Sequence, residues 1–345
     1  MPEIRIADRL VGPAHPPLVI AEIGINHNGS VKVAREMIDA AAAAGAELVK
    51  FQSHVIEDEM SHHARHTIPG NTDVSIYEVM STCALSAAEE IEVMHYAESK
   101  GLIFMSTPFS RASADRLEGM GVRAFKIGSG ECNNYPLVDH IASFGKPVVL
   151  STGMNTMASV TLAVEIFRKH STPFALLHCT NVYPTPPELV RLGGIAELAE
   201  AFPDAVVGLS DHTLNNATCL GAVAVGASIL ERHFTDSKSR PGPDIVCSMT
   251  PDELTQLISW SAELQKARGG SKGPVAAEQP TIDFAFASVV SIAPIAADEP
   301  FTKQNLWVKR PGTGEILAEH YDALLGKRAT RAIAADEQIG WSDVA

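Results

Sequence analysis

The feature that most constrains this chain is a series of eight short apolar runs, each closing on polar chemistry and separated by helical patterns. The runs are LVIAEIG (18–24), ELVKFQS (47–53), LIFMSTPF (102–109), RAFKIGSGE (123–131), PVVLSTG (147–153), FALLHCTN (174–181), AVVGLSDH (205–212) and SILERHF (228–234). Near-continuous apolar runs of this length are what strands look like when both faces of a parallel sheet are covered. Helical patterns such as SVTLAVEIFRKH (159–170) and PDELTQLISWSAELQKA (251–267) lie between and after them. Eight strands alternating with helices predict an α/β chain folded as a (β/α)8 TIM barrel. The rival, an open doubly wound sheet, would carry a G-x-G-x-x-G turn after its first strand, and the sequence there is EIGINHNG.

In such a barrel the C-terminal strand ends build the active site. Here they carry Glu22, Lys50, Gln52, Ser106, Thr107, Lys126, Ser129, Glu131, Ser151, Asn181, His212 and His233. A single Ser or Thr at such a place reads as a helix cap or turn. Two lysines and two glutamates facing inward at a barrel rim carry a desolvation cost that a structural role does not explain. His212 and His233 close consecutive strands, so two imidazoles delivered to neighbouring strand ends can share one metal ion.

Composition narrows the partners. The 345 residues carry a net charge of −14, which disfavours nucleic acid and anionic membranes. A small anionic substrate needs only a few well-placed cations. No apolar stretch approaches the roughly 20 residues that span a bilayer, and MPEIRIADRL lacks the pattern of a signal peptide. A cytoplasmic location is expected. The five cysteines are scattered and never in a C-x-x-C pair, which points to packing thiols rather than disulfides or a zinc site.

The segment from Ser53 to about Ser81 is long for a strand-to-helix connection and reads as a lid or binding loop. It holds four histidines, His54, His62, His63 and His66, without the glutamate of an H-E-x-x-H helix, so a solvated face is expected for them. Residues 1–268 are read as the barrel and 269–282 as a linker. Residues 283–345, short alternating runs punctuated by turns, are read as a compact second domain.

At AEIGINHNG, VKFQSH, STPFS, KIGSGECNNYPL, STGMN, HCTNVYPTPPE, GLSDHT and ILERHFT the chain resembles the bacterial N-acetylneuraminate (sialic acid) synthase family. The tail, with NLWVKRPGTG, resembles the antifreeze-like SAF domain, a small mainly-β fold that ends those enzymes. The resemblance runs through the whole chain in order. It implies a transferase that condenses phosphoenolpyruvate with open-chain N-acetylmannosamine, giving N-acetylneuraminate and phosphate. It further implies a divalent ion, manganese with magnesium as a substitute, and a homodimer whose tail domains cap the partner's barrel mouth.

Under that resemblance His212 and His233 hold the metal. Lys50 and Lys126, with Thr107, Ser129, Ser151, Asn181 and Ser210, receive phosphoenolpyruvate. Glu131 positions or deprotonates the attacking water. Glu22, Gln52, Asn71, Tyr183 and Asp244 meet the sugar hydroxyls, and Arg310 reaches the N-acetyl oxygen in the partner's site. The loop IPGNTDVSIYE and the segment ERHFTDSKSRPGPD look closest to the synthases that use N-acetylmannosamine.

Three alternatives stay open. The acceptor can be a 2,4-diacetamido-trideoxy hexose, giving legionaminic or pseudaminic acid by identical chemistry. A 3-deoxy-ulosonate phosphate synthase would need a second cationic site that the polar loop does not supply. A carbohydrate- or ice-binding protein with a decayed barrel would have lost the lysines, glutamates and histidines that are present here.

Overall fold

The computed structural model describes residues 1–69 and 73–345 and divides them into two compact units, Met1–Gly269 and Gly270–Ala345. In the first, eight parallel strands close into a barrel. They are β1 (Leu18–Gly24), β2 (Leu48–Ser53), β3 (Ile103–Pro108), β4 (Phe125–Ile127), β5 (Val148–Ser151), β6 (Phe174–Cys179), β7 (Val206–Asp211) and β8 (Ile229–His233). The strands pair in chain order and β8 returns to pair with β1. The expected TIM barrel is therefore the fold.

Strand pleating explains why the runs look uniformly apolar yet end in polar groups. Successive side chains point to opposite faces. The outward set, including Val19, Ala21, Val49, Phe51, Phe104, Phe125, Leu176 and Leu230, packs with the helices in one large core. The inward set begins apolar, with Leu18, Ile20, Leu48, Met105, Val149, Leu177 and Ile229 filling the barrel floor. Two residues further along each strand the same phase delivers Glu22, Lys50, Thr107, Ser151, Cys179 and Glu231 to the mouth.

An N-terminal hairpin of Ile4–Ile6 and Arg9–Val11, not anticipated from the sequence, seals the floor. Ile4, Ile6 and Val11 join the lower barrel cluster and are buried. Full burial of such side chains contributes about 2 kcal/mol each. At several helix starts a side chain caps the free N–H groups. Ser30 accepts from Val33, Asn134 from Leu137, and Thr250 forms a capping box with Glu253.

In the second unit, strands β9 (Ser288–Ser291) and β10 (Leu306–Lys309) pair antiparallel over a core of Val289, Ile295, Phe301, Leu306 and Ile316. The segment read as a linker is not structureless. It contains the start of a helix, Gln279–Ala285, whose second residue is Pro280, a position where the missing N–H costs nothing.

Candidate active site

The mouth of the barrel encloses a cavity of about 150 Å³. Its floor is an ion cluster of four inward-pointing side chains. Lys50 Nζ lies 2.9 Å from Glu22 Oε2 and 3.9 Å from Glu231 Oε1, and Lys126 Nζ lies 3.7 Å from that same Glu231 oxygen. All four are buried. Lys50 donates to Thr107 Oγ1 (3.1 Å), Lys126 to Ser151 Oγ (2.7 Å), and Ser210 Oγ to Glu231 (3.1 Å).

Burial raises the Glu22 carboxyl to about 7, against the opposing pull of Lys50 and with the help of Glu231. Burial would also raise Glu231, but Lys126 and Lys50 outweigh it and hold that carboxyl below its ordinary value. Burial, with Lys50 close by, pulls Lys126 below the ordinary lysine range. One buried oxygen of Glu231 has no hydrogen-bond partner. Two carboxylates of opposite tendency in one cluster are the arrangement that separates a proton holder from a fixed anion.

Above the cluster stand the two histidines, with ring centroids 5.5 Å apart. His212 Nδ1 faces the Thr180 carbonyl at 3.0 Å, so that nitrogen donates and Nε2 keeps its lone pair. His233 Nδ1 is buried without a hydrogen bond, 3.9 Å from Asp244 Oδ2. Burial, reinforced by His233, lowers His212 to about 4; burial, then Lys50, lowers His233 to about 3. Both rings are thus neutral, the form that binds metal. Among the described residues no group of three or more His, Cys, Asp or Glu side chains forms a closed metal cage. The donor set fits an ion that keeps positions open, because two neutral imidazoles leave coordination sites for oxygen ligands.

A second compartment of about 240 Å³ adjoins the first, and Gln52, Phe109, Tyr183 and His233 line both. Its other walls are Ile25, which follows β1, Pro69, Ile76, Val79 and Met80 from the long loop, and Pro243 and Asp244 from the segment after β8. The Tyr183 ring lies 4.0 Å from that of His212. Asp244 is largely buried, which raises its carboxyl, while His212 lowers it.

Most of the expected residues converge on the mouth. Glu22, Lys50, Gln52, Thr107, Lys126, Ser129, Ser151, Asn181, Tyr183, Ser210, His212 and His233 line the inner cavity, and Asp244 lines the outer one. Ser129 Oγ is partly spoken for, since it accepts from the Gly153 N–H at 3.0 Å. Glu131 does not line the cavity; its carboxylate accepts from Asn134 Nδ2 at 2.6 Å. Arg310 belongs to the second unit and is exposed there. Asn71 lies outside the described residues.

Glu231 was not singled out from the sequence, although it is central to the cluster. Its signal was a carboxylate two residues before His233, in the same pleat phase. Of the four loop histidines, His62, His63 and His66 are exposed as expected, whereas His54 is buried.

A closed barrel that gathers two lysines and two carboxylates beneath two imidazoles is built to hold a small anionic substrate, and its relatives are sialic-acid-type synthases. The chain belongs to the NeuB family, whose model matches residues 37–273, and a SAF domain matches 286–345. It is 37% identical to the N,N'-diacetyllegionaminic acid synthase of Campylobacter jejuni, covering 93% of this chain and 98% of that one. It is 32% identical to the N-acetylneuraminate-9-phosphate synthase of Homo sapiens, covering 96% and 93%. A solved N-acetylneuraminic acid synthetase from Leptospira borgpetersenii superposes with a TM-score of 0.75 at 31% identity, over 81% of this chain and 95% of that one.

Proposed function

We propose that this protein condenses phosphoenolpyruvate with the open-chain aldehyde of N-acetylmannosamine, giving N-acetylneuraminate and phosphate. The observation that carries this reading is the continuity of the two compartments. A lysine-bearing floor suited to an anion opens, past His233 and Tyr183, into a chamber with hydrogen-bonding groups from Gln52, Tyr183 and Asp244.

Lys50 and Lys126 neutralise the phosphate and carboxylate of phosphoenolpyruvate, and the hydroxyls of Thr107, Ser151 and Ser210 direct them. The enol methylene forms a bond to the aldehyde carbon as the carbonyl π bond opens and its oxygen takes up a proton, leaving a cation at the phosphate-bearing carbon. The fixed negative charge of Glu231 stabilises that cation. Water adds there and loses a proton, and cleavage of the carbon–oxygen bond to phosphate gives the keto acid. Glu22, raised to about 7, can take or return a proton at neutral pH. Glu131, on the turn after β4, serves the water if it leaves Asn134. His212 and His233 would hold a manganese or magnesium ion, which when bound polarises the sugar's carbonyl. The functional unit is a homodimer in which each tail domain caps the partner's barrel and Arg310 meets the N-acetyl group.

A second acceptor is favoured by one specific feature. Ile25, Ile76, Val79 and Met80 give the outer chamber an apolar wall that suits the methyl group of a 2,4-diacetamido-trideoxy hexose. The legionaminic acid synthase relative points the same way.

The test is phosphate release from phosphoenolpyruvate with each sugar and manganese, with the keto acid identified by mass. Activity with N-acetylmannosamine that a chelator abolishes is expected. Release with the diacetamido sugar alone would reassign the acceptor, and activity that survives chelation would remove the metal role.

A further inference from the structure

His54 follows β2 and is buried in a chain of contacts that ends at the substrate chamber. Its ring stacks on Phe109, with centroids 4.7 Å apart and planes at 11°. Nδ1 faces Glu59 Oε2 at 2.8 Å, and Nε2 faces Gln52 Oε1 at 3.1 Å. Gln52 Nε2 in turn donates to Glu22 Oε1 at 3.4 Å. Glu59 is itself fixed, because it ends the short helix Ile56–Glu59, whose Asp58 accepts from the Ala112 N–H at 2.8 Å.

The hydrogen-bond inventory leaves little freedom here. A carboxylate and an amide oxygen only accept, so both ring nitrogens of His54 donate. The amide oxygen of Gln52 is then occupied by His54, and its NH2 group is turned toward Glu22 and the cavity. Reversing the amide would set its NH2 against the Nε2–H of His54, two donors face to face, whereas the carboxyl of Glu22 can meet either end of the amide at 3.4 Å. His54 is therefore the neighbour that selects the orientation.

We infer that His54 is a positioning residue for the acceptor sugar, holding Gln52 so that it presents hydrogen-bond donors to the substrate chamber. The inference rests on the proposed synthase reading for its kinetic consequence, but its structural core does not. Without His54 the Gln52 amide is free to rotate, and a sugar oxygen meets a donor only part of the time. Phosphoenolpyruvate, bound at the lysine floor, is not affected by this loss.

Two measurements on the full-length protein test it. The first is the ring nitrogen spectrum of uniformly 15N-labelled histidines, without substrate, with His54 assigned by its disappearance in His54→Phe. A protonated Nε2 in the wild type is expected; an Nε2 without a proton overturns the inference whether or not the protein is a synthase. The second is a double-mutant cycle. His54→Phe preserves the stack on Phe109 and should raise the sugar's KM about tenfold, the scale of one lost hydrogen bond. KM for phosphoenolpyruvate should stay within about twofold. In a Gln52→Leu background the same change should add less than about twofold, because its target is gone. Additive losses, or equal effects on both substrates, would reduce His54 to a packing residue. Glu59→Gln should stay near wild type, since its amide can donate to Nδ1 and keep the proton on Nε2. Absent phosphate release by the wild type would count against the synthase reading alone, leaving the nitrogen spectrum to decide the role of His54.

Discussion

Arg232 and Asp211 are cross-strand partners in register on β8 and β7, and their side chains meet at 3.5 Å with almost no exposure. Each precedes a histidine of the site by one residue, so the pleat turns this pair outward while His212 and His233 face the cavity. Arg232 also donates to Asn216 Oδ1 (2.6 Å) and to the Thr213 carbonyl (2.8 Å). Asp211 accepts from the hydroxyls of Thr213 and Thr218, each at 2.8 Å. The network ties the two strand ends together from behind the imidazoles.

Arg232→Met removes one charge of this buried pair and strands the other. Breaking such a pair costs about 3–5 kcal/mol. Urea denaturation should show a loss of that size for Arg232→Met. The double variant Arg232→Met with Asp211→Leu should recover a good part of it, because no charge is then left unpaired. A single-variant loss under about 1 kcal/mol would contradict this account.

Stability should depend on pH through the site itself. His212 and His233, lowered to about 4 and about 3, bind fewer protons folded than unfolded. Their share of stability is complete above about 6.5 and is lost as pH falls toward those values. Glu22 acts oppositely. Raised to about 7, it keeps a proton in the fold that the unfolded chain releases above about 4.5, so its contribution declines as pH rises across that window. Metal-free protein should therefore lose stability below pH 6.5, and replacing both histidines with Gln should flatten that limb. Relative to wild type, Glu22→Gln should become progressively more stable between pH 4.5 and 7. Urea midpoints at one-unit intervals check both signs.

Gly153, in the STGMN turn after β5, is held to glycine by contact. A Cβ there would stand 1.9 Å from Asn181 Oδ1 and 2.9 Å from Ser129 Oγ. Gly153→Ala must displace both side chains, at a cost of about 1–3 kcal/mol for a forced shift in a packed site. KM for phosphoenolpyruvate should rise by about tenfold or more, as measured by phosphate release. Gly119→Ala, on the exposed face of the helix Arg111–Met120 where a Cβ meets nothing within 4 Å, is the control and should keep the wild-type KM.

How much of this was legible in the sequence depends on pleat phase. The barrel could be read because eight runs repeat the same apolar-then-polar grammar, and Lys50, Lys126 and His212 stood out as polar side chains at the ends of apolar runs. In SILERHF three polar residues are consecutive, and sequence alone does not say which two face the mouth. Glu231 was therefore passed over, and Arg232 gave no sign of being the outward-facing anchor. His54 looked like one of four loop histidines because its partners, Glu59 and Phe109, are brought to it only by the fold. The floor-sealing hairpin escaped notice because three-residue strands are too short to show a period.

Arg310 bears the remaining prediction, because it lies in the second unit and is exposed. If it completes the partner's site, Arg310→Ala should raise the sugar's KM well beyond that of phosphoenolpyruvate; equal effects on both, or none, would remove the assignment. A complementation experiment separates exchange of tails from a tail that serves its own barrel. Lys126→Met disables a barrel but leaves its tail intact, whereas Arg310→Ala does the reverse. In an isologous dimer with exchanged tails, co-expressing the two variants creates heterodimers with one wholly intact site, carrying about half the activity of the wild-type dimer. The same pairing without exchange puts both lesions in separate, individually damaged sites. Differently tagged chains purified as heterodimers should therefore recover wild-type KM for the sugar, and failure to do so would place Arg310 in its own subunit's site or in none.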